Sequence, residues 1–139
     1  GQLGIRLSEE TCIASLSVNH AHRRSLSPVA AGKAPRMFAL WGLYPHASQL
    51  PVDITVQPVS EFIVSSPLPG EISSGDVFVM LINGTYDLLS VGTRQYFNVP
   101  PSIQSLLPDP IGVVVLEISE NWGSNTTCLY NIGIHAEKF

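Results

Sequence analysis

Few side chains in this 139-residue chain are suited to chemistry: four histidines, two cysteines and eleven carboxylates. His20-Ala21-His22 has the spacing that best suits a metal. Residues i and i+2 of a strand face the same way, so two imidazoles can meet one ion. Arg23 and Arg24 follow directly and repel a cation, and no carboxylate lies close by, so the trio reads as a polar cluster at a strand end. The cysteines lack the C-x-x-C spacing of a zinc site. There is no Gly-x-Ser-x-Gly elbow to expose a nucleophilic serine, and no glycine-rich loop to cradle a phosphate. The adjacent Glu9-Glu10 reads as solvated charge in a turn. The expectation is a protein that is not an enzyme and has no metal and no cofactor.

Cys12 and Cys128 bracket most of the chain, and two N-glycosylation sequons are present, Asn83-Gly84-Thr85 and Asn125-Thr126-Thr127. An even cysteine count with two sequons leans toward a secreted or luminal compartment. If Cys12 and Cys128 pair, the closed loop is long, and chain entropy assigns such a closure on the order of 4–5 kcal/mol. The other reading is two buried thiols.

Hydrophobic residues make up 45% and charged residues 13%. That charge share is about half the ordinary 25% or so, and the apolar share suffices for a core, so a folded chain is expected rather than a disordered one. The net charge of −4 argues against nucleic-acid binding, which needs many cations on phosphates. Charge is uneven: Arg6, Arg23, Arg24, Lys33 and Arg36 crowd the first 36 residues, where the only acids are Glu9 and Glu10. A few solvated arginines near a strand end explain this more simply than a binding patch. The longest apolar runs, Val77–Ile82 and Ile111–Leu116, are far short of the ~20 residues a membrane helix needs. The start has no charged leader and opens on a strand-like pattern, so a domain cut from a longer protein is expected.

The elements that must position these residues are strands. Leu3–Leu7, Cys12–Val18 and Val52–Val56 alternate with period two, and Met37–Leu43 is a short apolar run of the kind a buried sandwich strand shows. Phe62–Val64 and Gly112–Ile118 are β-branched or apolar, and Thr127–His135 carries Cys128, Tyr130, Ile132 and Ile134 on one face. Asp76–Ile82 and Tyr86–Val91 flank Asn83-Gly84, the dipeptide of a tight hairpin. The only helix signal is one short turn over Ser102–Leu107. Eleven glycines and eleven prolines mark frequent turns. The expected fold is one all-β domain over 1–139, an antiparallel β-sandwich or jelly roll of eight to ten strands, with few or no helices.

Two stretches carry a family likeness. One runs Gly4-Ile5-Arg6-Leu7-Ser8, His20, Leu26-Ser27-Pro28 and Ala34-Pro35-Arg36-Met37-Phe38-Ala39-Leu40-Trp41-Gly42-Leu43. The other runs Val115-Leu116-Glu117-Ile118-Ser119-Glu120-Asn121-Trp122-Gly123 into Thr127-Cys128-Leu129-Tyr130 and Ile134-His135. This order resembles a divergent SUN domain of the nuclear envelope, where Asn-Trp-Gly precedes Tyr-Thr-Cys-Leu-Tyr and Val-His-Gly. The resemblance implies a luminal β-sandwich in the perinuclear space. It implies a homotrimer assembled through an upstream coiled coil, and a grip on the C-terminal peptide of a KASH protein that links nucleus to cytoskeleton. It implies membrane attachment only through upstream segments.

Carried over residue by residue, Tyr130 matches a pocket tyrosine and His20 a histidine near the pocket. A second pocket tyrosine is Thr126 here, and the pocket serine before Ala-Pro is Lys33, which can meet a carboxylate as a point charge. Cys128 matches a cysteine whose usual partner lies upstream of Gly1, leaving it free or paired with Cys12. The family's peptide-covering lid, cation loop and peptide-linking cysteine also precede this start, so weak or absent KASH binding is implied for the chain alone. Residues 45–85 exceed the family connection and read as an insert that widens the sandwich or makes a new interface. The rival expectation is a SUN-like or galactose-binding-like sandwich that recognises glycan or a membrane-protein ectodomain, with Trp41 and Trp122 available to stack on sugar.

Overall fold

A computed structural model describes residues 2–19, 32–44, 50, 54–58, 76–87, 94–106, 110–123, 127 and 131–136. Eight strands appear among them: β1 (Gln2–Thr11), β2 (Ile13–Asn19), β3 (Pro35–Tyr44), β4 (Val56–Pro58), β5 (Val77–Thr85), β6 (Arg94–Asn98), β7 (Ile111–Asn121) and β8 (Asn131–Ala136). One short helix, α1 (Pro101–Leu106), leads into β7. The strands form two sheets, a five-stranded one ordered β1-β7-β3-β5-β4 and a three-stranded one ordered β6-β2-β8. Every pairing among them is antiparallel. The protein is an all-β antiparallel sandwich.

Alternation builds the core. Phe38, Leu40 and Tyr44 of β3, Val79 and Ile82 of β5, and Val114 and Leu116 of β7 meet Leu16 and Val18 of β2 in one buried cluster. Ile132 and Ile134 of β8 pack against it from the small sheet. The outer face of the large sheet holds a second cluster of Ala39, Trp41, Phe78 and Val115. The central strands are thus buried on both faces, which is why Met37–Leu43 reads as a continuous apolar run rather than an alternating one. An extra residue in β5, between the pairs Leu40↔Ile82 and Trp41↔Met80, is a β-bulge that lets both Leu81 and Ile82 join the inner cluster.

Edges and ends follow local chemistry. β1 closes one edge with exposed Arg6, Glu9 and Glu10, charges that discourage pairing with another chain. Glu9 and Glu10 therefore belong to a strand and not to a turn, although they are solvated as expected. β4, at the other edge, is three residues long and ends on Pro58. In α1, Pro101 takes the first helical position, where a missing N–H costs nothing. The amides of Ile103 and Gln104 donate to the Pro100 carbonyl at 2.9 and 3.0 Å.

Three local expectations are corrected. Asn83-Gly84 is not a hairpin turn: β5 runs through both residues, with Ala39↔Asn83 and Phe38↔Gly84 in register. The glycine serves close packing instead. Phe38 and Phe97 meet edge-on with centroids 4.7 Å apart and planes at 81°, joining the two sheets. A Cβ on Gly84 would sit 2.9 Å from Phe97 Cδ1 and 3.0 Å from Phe38 Cζ. Tyr86 and Asp87 are not strand, and the next described strand is β6, which short alternation did not reveal. The last strand begins at Asn131 rather than Thr127. Residues 45–85 supply β4 and β5, which extend the large sheet beyond β3. Phe62–Val64 lies outside the described residues.

Gly84→Ala is expected to destabilise the fold by about 1–3 kcal/mol through overpacking. A urea titration reads this as a lower midpoint at unchanged slope. In bacterially produced, unglycosylated protein, Asn83→Ala, at an exposed position, is expected to change stability by less than about 0.5 kcal/mol. A neutral Gly84→Ala would contradict the glycine's packing role.

Candidate functional site

The end of the sandwich where β3 starts and β7 finishes is built by a local turn. Asn121 is the register partner of Pro35, and the Trp122 amide donates to the Ala34 carbonyl at 3.2 Å. The Asn121 side-chain oxygen accepts from the Gly123 amide at 3.0 Å, an Asx turn. Gly123 has φ 122°, in the left-handed region that a side chain strains. Nothing lies within 4 Å of a Cβ built there, so backbone conformation rather than space demands the glycine. Asn121 Nδ2 also donates to Thr127 Oγ1 at 3.1 Å, tying the chain after the turn back to β7. The Arg36 guanidinium stacks 4.8 Å from the Trp122 ring centroid, a cation–π contact. Lys33, half-buried, lies two residues before β3 at this same end.

Of the four residues expected to hold a peptide, Lys33 is described, whereas His20, Thr126 and Tyr130 lie outside the described residues. The strands flanking them in sequence are informative. Asn19, the last residue of β2, is the register partner of Asn131, the first of β8. Three residues lie between Thr127 and Asn131, so four Cα–Cα steps join them, a reach of at most about 14 Å. The end of β2, the start of β8 and the Lys33 end of β3 therefore belong to one region of the sandwich. Cys12 is half-buried in the single-residue connection between β1 and β2, and Cys128 lies outside the described residues, as does Asn125. Asn83 is exposed on β5. His22 of the histidine pair is likewise outside the described residues.

Sequence reasoning missed a second constellation on the outer face of the small sheet. Register sets Ser17 opposite both Tyr96 and Gly133, and Ser15 opposite His135. His135 Nε2 and Ser17 Oγ are hydrogen-bonded at 2.9 Å. Tyr96, 58% exposed, lies 5.7 Å from the His135 ring, centroid to centroid. Gly133 makes room for this group: a Cβ there would fall 2.6 Å from Ser17 Oγ and 3.1 Å from His135 Nε2. A serine–imidazole contact has the form of a nucleophile and its base. Ser17 is only 4% exposed, and the tautomer of His135 decides which of the two groups donates in this contact. The available signal was the polar side of the β2 alternation, Ser15-x-Ser17-x-Asn19, set against the apolar side at Leu16 and Val18.

The tryptophans are less available for stacking on sugar. Trp41 is 2% exposed within the outer cluster of the large sheet, and Trp122 is half-buried beside Arg36. No protein-family model matches this chain, and no curated protein does.

Asn121→Ala removes two side-chain hydrogen bonds and is expected to cost about 1–3 kcal/mol, read by thermal or chemical denaturation. Gly133→Ala is expected to break the Ser17–His135 contact. The check is a displaced His135 imidazole signal in a two-dimensional NMR spectrum. An unmoved signal would mean that the strand tolerates a methyl group there.

Proposed function

We propose that this chain is the luminal SUN-like domain of a nuclear-envelope bridge of LINC type, a binding module rather than an enzyme. It takes the C-terminal peptide of a KASH-like partner and so connects nucleus and cytoskeleton. In this reading it works in the perinuclear lumen, and the longer protein trimerises through segments upstream of this chain.

The observation that carries the reading is the Asn121-Trp122-Gly123 turn with its tie to Thr127. It brings the two stretches of family likeness to one end of the sandwich, where Lys33 and Arg36 supply positive charge suited to a peptide carboxylate. A terminal carboxylate there gains from point charges, and the family resemblance assigns Tyr130 and His20 the hydrogen bonds and apolar ring area for a proline-bearing peptide. The all-β fold and the two sequons suit a luminal binding module.

A second reading, glycan recognition, has one observation in its favour: exposed Tyr96 beside His135 on a polar sheet face. Fluorescence anisotropy with a labelled KASH C-terminal peptide separates the two. Saturable binding is expected, abolished by amidating the peptide terminus and by Tyr130→Ala. Lys33→Ala is expected to weaken it about two- to fivefold, in keeping with an ion pair still open to solvent on one side and contributing at most ~1 kcal/mol. If the peptide does not bind even when the chain is extended N-terminally, the peptide-clamp reading fails. Saccharide binding lost on Tyr96→Ala would favour the second.

A further inference from the structure

One rung of the large sheet crosses four strands. Asn83 of β5 stands opposite Ala39 of β3, Ala39 opposite Glu117 of β7, and Glu117 opposite Gln2 of β1. Directly opposed residues share a face, and this is the outer one, continuous with Trp41 and Val115. The side chain in the middle of the rung is only a methyl group. The result is a cavity of about 350 Å³ over Ala39, with Asn83 on one wall and Glu117 and Ser119 on the other. Met37 and Met80 border it along the strands. A volume of this size lies at the small end of ligand pockets and has room for a sugar ring.

Asn83 is also the acceptor residue of the sequon Asn83-Gly84-Thr85. Because β5 runs straight through the sequon, Asn83 and Thr85 lie on the same face, and both are exposed. Folding therefore leaves room for a group already attached to Asn83.

We infer that Asn83 carries an N-linked glycan whose innermost N-acetylglucosamine seats in the cavity over Ala39. The donor is an oligosaccharide on a lipid pyrophosphate. Asn83 Nδ2 forms a bond to the anomeric carbon, and the bond from that carbon to the pyrophosphate oxygen breaks. The lipid pyrophosphate leaves with the bonding pair, the amide gives up one proton, and no redox change occurs. The seated ring lays an apolar face on the Met37 and Met80 side chains, which adapt to irregular shapes. Its polar groups reach the Glu117 carboxylate and the Ser119 hydroxyl. Glu117 is held in place by a 3.1 Å hydrogen bond from Gln2 Nε2, and Ser119 by one of 3.3 Å to the Met37 carbonyl.

The inference shares with the proposed function only the passage of the chain through a glycosylating lumen. Secretion from a eukaryotic host supplies that passage directly, so the site is tested apart from KASH binding, which is assayed on the same preparations. In an Asn125→Gln background, intact mass is expected to show one glycan, absent from Asn83→Gln. An unmodified Asn83 would overturn the inference. The secreted glycoprotein is then trimmed in two ways. An endoglycosidase that leaves one N-acetylglucosamine is expected to keep Tm unchanged, and an amidase that removes the whole glycan is expected to lower it by a few degrees. Asn83→Asp, the residue the amidase leaves behind, controls for the new charge. Equal Tm values for the two trimmed forms would overturn the seating of the first sugar.

Discussion

Burial of β3 on both faces is the constraint on which the rest of the structure depends. Its inner side chains, Phe38, Leu40 and Tyr44, enter the core between the sheets, while Ala39 and Trp41 fill the outer cluster. A strand covered on both sides must have partners on both edges, because an unpaired buried amide or carbonyl is costly. β5 and β7 are those partners. The bulge in β5 then reconciles two facing apolar patterns that would otherwise drift out of phase. Gly42 shows how tight the fit is: a Cβ there would come within 2.8 Å of Ile111 Cδ1.

The same strand sets where the interesting chemistry lies. Its first residue pairs with Asn121, so the Asx turn and the Arg36–Trp122 stack grow out of the end of the β3–β7 ladder. One residue further from that end, Met37 becomes exposed beside Thr85, and two residues on, Ala39 opens the hollow beside Asn83. A peptide-holding end and a glycan-bearing face would thus be adjacent parts of one rigid sheet. Rigid strands position such groups more accurately than loops do.

The small sheet plays a different part. Its inner side closes the core through Leu16 and Val18, and the Phe38–Phe97 edge-on contact locks it to the large sheet. Its outer side is polar and holds the Ser17–His135 pair under an exposed tyrosine. A hydrogen-bonded polar group packed on a sheet face adds geometric definition that apolar contacts alone lack.

The all-β class was legible in the sequence because period-two alternation and frequent turn residues are local properties. Leu16 and Val18 on one face, or the buried run Met37–Leu43, follow from the pleat alone. The short helix before Pro108 was legible for the same reason. The tight turn Asn-Gly encodes was legible too, and it was wrong here. Local propensity favoured a turn at Gly84, but two aromatic rings from different sheets needed the space that a side chain would occupy, and packing prevailed. Only the tertiary structure decided the pairing of β3 with β5 and β7, the rung Asn83–Ala39–Glu117–Gln2, and the meeting of Ser17 with His135. Such contacts join residues far apart in the chain, and strand order depends on how whole faces pack, which no short window of sequence contains.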